Sequence, residues 1–228
     1  MKQISDHVYQ ISIGPVNAFI IEDNGLTLID TGFKDSKGKI FSAIEKSGKN
    51  PGDIKQIILT HSHPDHSGSA ADIKNTLRIP VHMHFEDAAL VEMGKGGRLP
   101  HQRSSSLLNR ILYMIFINNS PNETETFQVS TNLKDGDVLP IAGGVEVIHT
   151  PGHSEGHIAL LVKNDGVLIA GDICNNLLGL DYSTVYEDRA IGAKSILKAA
   201  TFDFDSAVFG HGSPLTKSAN KKILKKFS

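Results

Sequence analysis

An α/β sandwich built on mixed sheets is the fold class this sequence predicts, and three observations carry it. Short apolar runs joined by turn signals open each half of the chain, strand-like and helix-like segments then alternate, and no linker rich in Pro, Gly or Ser separates the halves. With 228 residues, 39% hydrophobic and 21% charged, the chain can bury a sizeable core and is too apolar to be disordered. One domain over residues 1–228 is therefore expected.

Taken in order, residues 8–13 and 16–22 read as strands about a Gly14-Pro15 turn, and Asn24-Gly25 signals a hairpin into 26–29, which ends in Asp30-Thr31-Gly32. Ser36 is placed to cap a helix with Ile40, Phe41 and Ile44 on one face, closing near Gly48. A buried strand at 57–59, a helix at 72–77 and a short strand at 81–83 follow. From about 92 to 125 the pattern changes. Gly94, Gly96 and Gly97 open a loop carrying Arg98, His101 and Arg103; residues 107–117 are apolar almost all round, as in a buried helix too short to span a membrane; 118–125 are polar. This stretch is expected to be a helical, lid-like insertion.

The second half returns to strands at 138–141, 145–149, 158–162 and, after an Asp165-Gly166 turn, 167–170. A helix is expected over 188–200 and a strand over 207–209, with Ser213-Pro214 opening a terminal helix. Leu215, Ala219, Ile223 and Phe227 recur at helical spacing, so the lysines between 217 and 226 form the solvated face of that helix. Segments 26–30 and 167–172 echo one another: each follows an Asn/Asp-Gly turn and delivers an aspartate at a strand end.

Composition removes several function classes. Net charge is −2, with 23 basic against 25 acidic residues, a balance that gathers neither nucleic acid nor an anionic membrane. There is no apolar run of membrane-spanning length, and Met1 to Gly14 lacks a signal-peptide core. A lone cysteine, Cys174, excludes an internal disulfide and reads as a small buried hydrophobe. A cytoplasmic protein with a small-molecule substrate, no nucleic-acid partner and no membrane is expected.

Four apolar strands each stop at residues able to bind a metal. The strand at 57–59 runs into Thr60-His61-Ser62-His63-Pro64-Asp65-His66, that at 145–148 into His149-Thr150-Pro151-Gly152-His153, that at 167–170 into Gly171-Asp172, and that at 207–209 into Gly210-His211. In an extended stretch alternate side chains share a face, so His61, His63 and Asp65 are expected to converge on one point, with His66 turning aside as the chain enters a helix. Gly152 and Gly171 allow close backbone approach. Imidazoles and carboxylates without a thiolate suit Zn(II), Fe, Mn or Co, and suit calcium or an iron–sulfur cluster poorly. Asp30 is a candidate acceptor behind the ligands, and His149 and His157 flank them. His7, His82, His84 and His101 lack such a pattern and read as structural.

These residues resemble the metallo-β-lactamase-fold superfamily. His61-Ser62-His63-Pro64-Asp65-His66 is similar to its His-x-His-x-Asp-His signature, and Thr150-Pro151-Gly152-His153, Gly171-Asp172 and Gly210-His211 resemble its later motifs in the same order. The resemblance runs from Leu28-Ile29-Asp30-Thr31-Gly32 to the C-terminal helix. It implies a four-layer αββα sandwich with two mixed β-sheets and a binuclear site at its edge: one metal on His61, His63 and His153, the other on Asp65, His66 and His211, and Asp172 bridging. It implies two divalent ions, Zn(II) first with Fe or Mn as alternatives, a metal-bridging hydroxide as nucleophile, and Asp65 handling the leaving-group proton.

Departures narrow the branch. The RNA-cutting members carry nucleic-acid modules and the flavin-linked di-iron members a second domain, neither of which fits in 228 residues. Lactonases often place a Tyr shortly after the bridging Asp, where this chain has Cys174 and Asn175. Glyoxalase II-like thioesterases share the metal set but usually carry a glutathione-binding C-terminal region that is not identifiable here. The resemblance points to this glyoxalase II-like or lactonase-like branch and to hydrolysis of an ester, thioester or lactone, with Arg98, His101, Arg103 and Tyr113 as candidate contacts for an anionic substrate end. The 92–125 stretch serves equally as a lid or as the contact of a homodimer. An oxidative class stands beside this: a mononuclear non-heme iron site using His61 and His63 to activate dioxygen on a thiol or persulfide. A metal-binding or sensory protein without turnover is the third.

Overall fold

A computed structural model describes residues 1–103, 114 and 122–228. In its first part, β1 (Lys2–Gln3), β2 (Val8–Ser12), β3 (Asn17–Glu22), β4 (Leu26–Ile29), β5 (Ile54–Ile58) and β6 (Val81–His84) are followed by the short β7 (Gln102–Arg103) and by β8 (Thr131–Leu133). The rest contributes β9 (Val138–Leu139), β10 (Val145–His149), β11 (Ile158–Val162), β12 (Val167–Ile169), β13 (Cys174–Asn175), β14 (Asp181–Tyr182), β15 (Val185–Tyr186) and β16 (Ser206–Val208). Two larger sheets result, ordered β1-β2-β3-β4-β5-β6-β8 and β16-β12-β11-β10-β9. Both are mixed. β4, β5, β6 and β8 pair in parallel after an antiparallel meander, and β12 pairs in parallel with β16 beside another meander.

Alternation along the strands sorts the core into three slabs. β3 turns Ala18 and Ile20 toward the helices α1 (Lys37–Glu45), α3 (Ala70–Leu77) and α4 (Phe85–Glu92), and turns Phe19 and Ile21 toward the second sheet. Between the sheets those residues, with Ile29 and Ile58, meet Val145, Val147, Ile158, Leu160, Val167 and Ile169. The opposite faces of the same strands, Ile148, Ala159, Leu161 and Leu168, pack on α5 (Arg189–Ala200) and α6 (Ala219–Phe227). The order is helices, sheet, sheet, helices: the αββα sandwich. Strands covered on both faces bury every apolar side chain, each worth about 1.5–3 kcal/mol, which is why they read as unbroken apolar runs.

Three local expectations are corrected. The terminal helix starts at Ala219, not at Ser213-Pro214, because Leu215 first pairs with Ala207 through two backbone hydrogen bonds of 2.8 Å and so extends the edge of the second sheet. Ser36 stands before α1, but its side chain makes no cap; its own N–H donates to Ser69 Oγ at 2.8 Å. The single-turn helix α2 (Pro64–Ser67) takes in Asp65, so the segment after β5 is not extended as far as Asp65. The helix expected over 107–117 lies outside the described residues, apart from Met114, which is exposed. Among the described residues no helix is long and apolar enough to cross a membrane.

Candidate metal centre

The centre forms where the ends of β5, β10, β12 and β16 meet at one edge of the sandwich. Ile158 N–H donates to the Thr60 carbonyl at 2.9 Å and joins the two sheets there. The turn after β5 supplies His61 and His63, α2 supplies Asp65 and His66, and the turns after β10, β12 and β16 supply His153, Asp172 and His211. Pro64 at the first position of α2 breaks the extended run and sends Asp65 away from His61 and His63. Asp65 groups with His66 and His211 instead, so the convergence expected from strand alternation is corrected.

Among the described residues, side-chain ligand atoms fall into three overlapping groups, each within 4.8 Å: His61, His63 and His153; His61, His66 and Asp172; Asp65, His66 and His211. Asp172 spans them. Its Oδ2 lies 3.6 Å from His153 Nε2 and 3.2 Å from His211 Nε2, and its Oδ1 lies 3.6 Å from His66 Nε2. Asp65 Oδ2 is 3.3 Å from His211 Nε2, and His61 and His153 approach Nε2 to Nε2 at 3.2 Å. Gly210 makes this crowding possible, since a Cβ there would overlap the Asp172 carboxylate and press on His66.

Behind the ligands lies a ring of acceptors. His66 Nδ1 meets Asp30 Oδ2 at 2.9 Å, His153 Nδ1 the Val185 carbonyl at 2.9 Å, and His211 Nδ1 the Pro15 carbonyl at 2.8 Å. Thr60 donates its hydroxyl to Asp30 Oδ2 at 2.8 Å and so accepts from His61 Nδ1 at 2.9 Å. Each of these Nδ1 atoms then keeps its proton and turns Nε2 toward the cluster, so Nε2 is the atom each ring offers a metal once the ring is neutral. Buried polar atoms without a partner include His63 Nε2, His66 Nε2 and Asp172 Oδ1. A divalent cation satisfies such a set of nitrogen and oxygen donors, so the residues present fit a metal.

The family model described as the metallo-beta-lactamase superfamily matches residues 11–211. The chain belongs to the metallo-beta-lactamase superfamily. "Probable metallo-hydrolase YflN" of Bacillus subtilis (strain 168) is 29% identical over 228 residues, covering 92% of this chain and 85% of its own length. "Probable metallo-hydrolase YqgX" of the same organism is 28% identical over 170 residues, covering 72% of this chain and 69% of its own. Of solved structures, the subclass B3 metallo-beta-lactamase BJP-1 of Bradyrhizobium japonicum superposes with a TM-score of 0.72 at 24% identity, over 99% of this chain and 88% of that one. The metallo-beta-lactamase family protein TTHA1429 from Thermus thermophilus gives 0.70 at 24% identity, over 97% and 78%. At that identity the two structures speak for the fold alone.

In this superfamily member the two sides of the cluster differ electrically. Burial drives His61 and His153 well below the ordinary imidazole pKa, helped by neighbouring imidazoles, and it lowers His63 against the pull of Asp65 and Asp87. Burial opposes the charge of His66 too, but the Asp172, Asp65 and Asp30 carboxylates outweigh it and raise His66 to about 9. His211, against the same burial penalty, is raised well above its ordinary value by Asp172 and Asp65. Burial works against ionisation of both aspartates, yet His66 and His211 hold Asp65 and Asp172 low. The surroundings thus favour neutral imidazoles on the three-histidine side and imidazolium–carboxylate pairs on the other.

Other residues marked in the sequence fall in different places. His157 is buried; its Nε2 accepts the Asp172 N–H at 2.9 Å and its Nδ1 donates to Thr150 Oγ1 at 2.8 Å, while burial pushes it down to about 3. Gly171 permits this, as a Cβ there would strike His157 Nε2; a Cβ on Gly152 would instead meet the backbone of Gly192 in α5. His149 turns away from the ligands, stacks on His84 with centroids 4.1 Å apart, and bonds the Glu155 carbonyl. Expected behind the ligands, it is corrected to a scaffold residue. Arg98 is held by Glu86, Asp87, Glu155 and Glu187, so its charge is already balanced within the protein. His101 packs 5.3 Å from the His63 ring with Nε2 buried and unpartnered, and burial, then His63, lowers it to about 4. Arg103 lies on β7 opposite Val185, and Tyr113 lies outside the described residues. Cys174 is fully buried, and burial pushes its thiol pKa up.

Proposed function

We propose that this metal-dependent hydrolase holds two divalent ions, zinc by preference, and cleaves an ester, thioester or lactone bond of a small molecule. The observation carrying the reading is the place of Asp172: its Oδ2 lies 3.6 Å from His153 Nε2 in one group and 3.2 Å from His211 Nε2 in the other, and its Oδ1 lies 3.6 Å from His66 Nε2. His61, His63 and His153 would hold one ion and Asp65, His66 and His211 the other, with Asp172 shared between them. Such ions, when bound, supply Lewis acidity, bringing the pKa of water from about 15.7 toward about 7 and polarising a scissile carbonyl.

The chain's own residues do the rest. Asp30, Thr60 and the Val185 and Pro15 carbonyls hold the imidazoles in the ligating tautomer. Asp65, partly open to solvent at 24% side-chain exposure, is placed to carry a proton to the leaving group. Residues 92–125 act in this reading as specificity lid or as dimer contact. An iron dioxygenase reading uses the three-histidine side and leaves Asp65, His66 and His211 without a task.

Asp172→Ala is the test, assayed on a panel of esters, thioesters and lactones with metal content measured in parallel. Activity is expected to fall at least about 10²-fold together with bound metal. An unchanged rate, or a native chain that carries one iron and consumes oxygen, overturns the reading.

A further inference from the structure

Asp87 is the buried charge that the metal cluster itself does not use. It sits on α4 with no solvent exposure, distant in sequence from every ligand, and the motif gives it no part. Its carboxylate nevertheless touches both loops that present the three histidines. Oδ2 accepts the backbone N–H of Ser62, between His61 and His63, at 2.9 Å, and the Ser154 hydroxyl, next to His153, at 2.7 Å. Oδ1 accepts the Gly156 N–H at 2.8 Å, and a Cβ on Gly156 would collide with Asp87. Arg98 supplies the counter-charge, its Nη1 3.5 Å from Oδ1.

We propose that Asp87 is the positioning residue of the three-histidine side of the metal centre: one carboxylate that fixes the His61–His63 turn and the His153 turn at a common separation. The proposal rests on the metal-centre reading given above. Chemistry makes the carboxylate specific. Three donors converge on two oxygens, and an ionised carboxylate offers about four acceptor sites and no donor. An amide in its place keeps one acceptor oxygen and turns an NH₂ toward groups that are themselves donors, so one turn or the other must move. The Asp65–His66–His211 side is anchored by the Pro15 carbonyl and by Asp30, which through Thr60 also reaches His61, and none of its turns donates to Asp87; Ser62, Ser154 and Gly156, the donors to Asp87, all belong to the turns of the three-histidine side.

That asymmetry is what an experiment reads. Zinc affinity is measured by chelator competition in two parent chains, Asp65→Asn, which leaves the three-histidine side intact, and His153→Ala, which leaves the other side intact. Adding Asp87→Asn is expected to weaken zinc about 10–100-fold in the first parent, the usual effect of losing an outer-shell partner, and to change it less than about threefold in the second. Equal loss in both parents, loss only in the second, or no loss in either overturns the proposal. Should Asp87→Asn fail to fold, Ser154→Ala removes a single hydrogen bond to the same carboxylate and is expected to show the same asymmetry at about threefold to tenfold; its absence there counts against the proposal equally. Parents that bind no zinc at all sink the metal centre, and this inference with it.

Discussion

The two sides of the candidate centre are built from the same kinds of side chain and prepared in opposite ways. His61, His63 and His153 are buried, neutral and set on turns tied together by one carboxylate. Asp65 and His211 keep 24% and 22% of their side chains open to solvent, and with His66 they form ion pairs whose imidazoles hold their protons. Burial alone therefore does not set the state of a histidine here. The balance of burial and charge does: at His66 and His211 the surrounding carboxylates together outweigh desolvation, and at His61, His63 and His153 they do not. On the proposed two-ion reading, one side is organised for a cation in advance and the other would give up protons to take one.

Gly210 stands where the sides meet, and replacing it is expected to have the largest effect. In Gly210→Ala the new Cβ displaces Asp172 and His66. A shift near 1 Å costs about 10²-fold in rate, so hydrolysis should fall by at least that factor and zinc bound through Asp172 and His66 should weaken. Retained activity and zinc would mean the sides are not joined through Asp172.

Proton release separates the sides more finely. Metal binding needs deprotonated imidazole, and His66 is raised to about 9, so it carries its proton at pH 7 and yields it only as pH rises through about 9. In His153→Ala, where Asp65, His66 and His211 remain, zinc uptake at pH 7 should release about two more protons than in Asp65→Asn, and affinity should climb between pH 7 and 9. The three-histidine side, with its pKa values lowered, should be nearly flat above about pH 6.5. Calorimetry in buffers of different ionisation enthalpy measures both. Equal proton counts would erase the distinction.

The smallest effect belongs to a histidine outside both sides and serves as control. Burial, then His149, lowers His84 to about 4 in the folded chain, against about 6.5 unfolded. The folded form stays neutral while the unfolded form takes a proton, so this contribution is present above about pH 6.5 and is lost as pH falls toward about 4. In His84→Gln the drop in Tm from pH 7 to 4.5 should shrink by about 5–10 °C, with zinc affinity unchanged. A slope identical to the native chain would remove His84 from the account.

How much of this was legible in the sequence depends on whether a residue announces its partners locally. The strands and the sandwich were legible because period-2 burial on both faces writes unbroken apolar runs, and the cluster because its members stand at strand ends in motif order. Asp87 was not: Ser62, Ser154 and Gly156 come to it from distant segments of the chain, and nothing in Phe85-Glu86-Asp87 distinguishes it from a solvated acid in the first turn of a helix. Arg98 misled for the same reason, since Glu86, Asp87, Glu155 and Glu187 gather around it only in three dimensions. His149 stands beside a ligand motif, yet strand alternation puts it on the face of Val145 and Val147, toward the first sheet, where it stacks on His84. The late start of α6 follows from Leu215 pairing with Ala207, a choice made by the sheet edge and invisible in helical spacing.

The most direct test of two differently prepared sides joined by Asp172 is zinc stoichiometry across three chains. The account predicts about two ions in the native protein and about one in each of His153→Ala and Asp65→Asn. A native chain holding one ion, lost entirely in His153→Ala and untouched in Asp65→Asn, would contradict it.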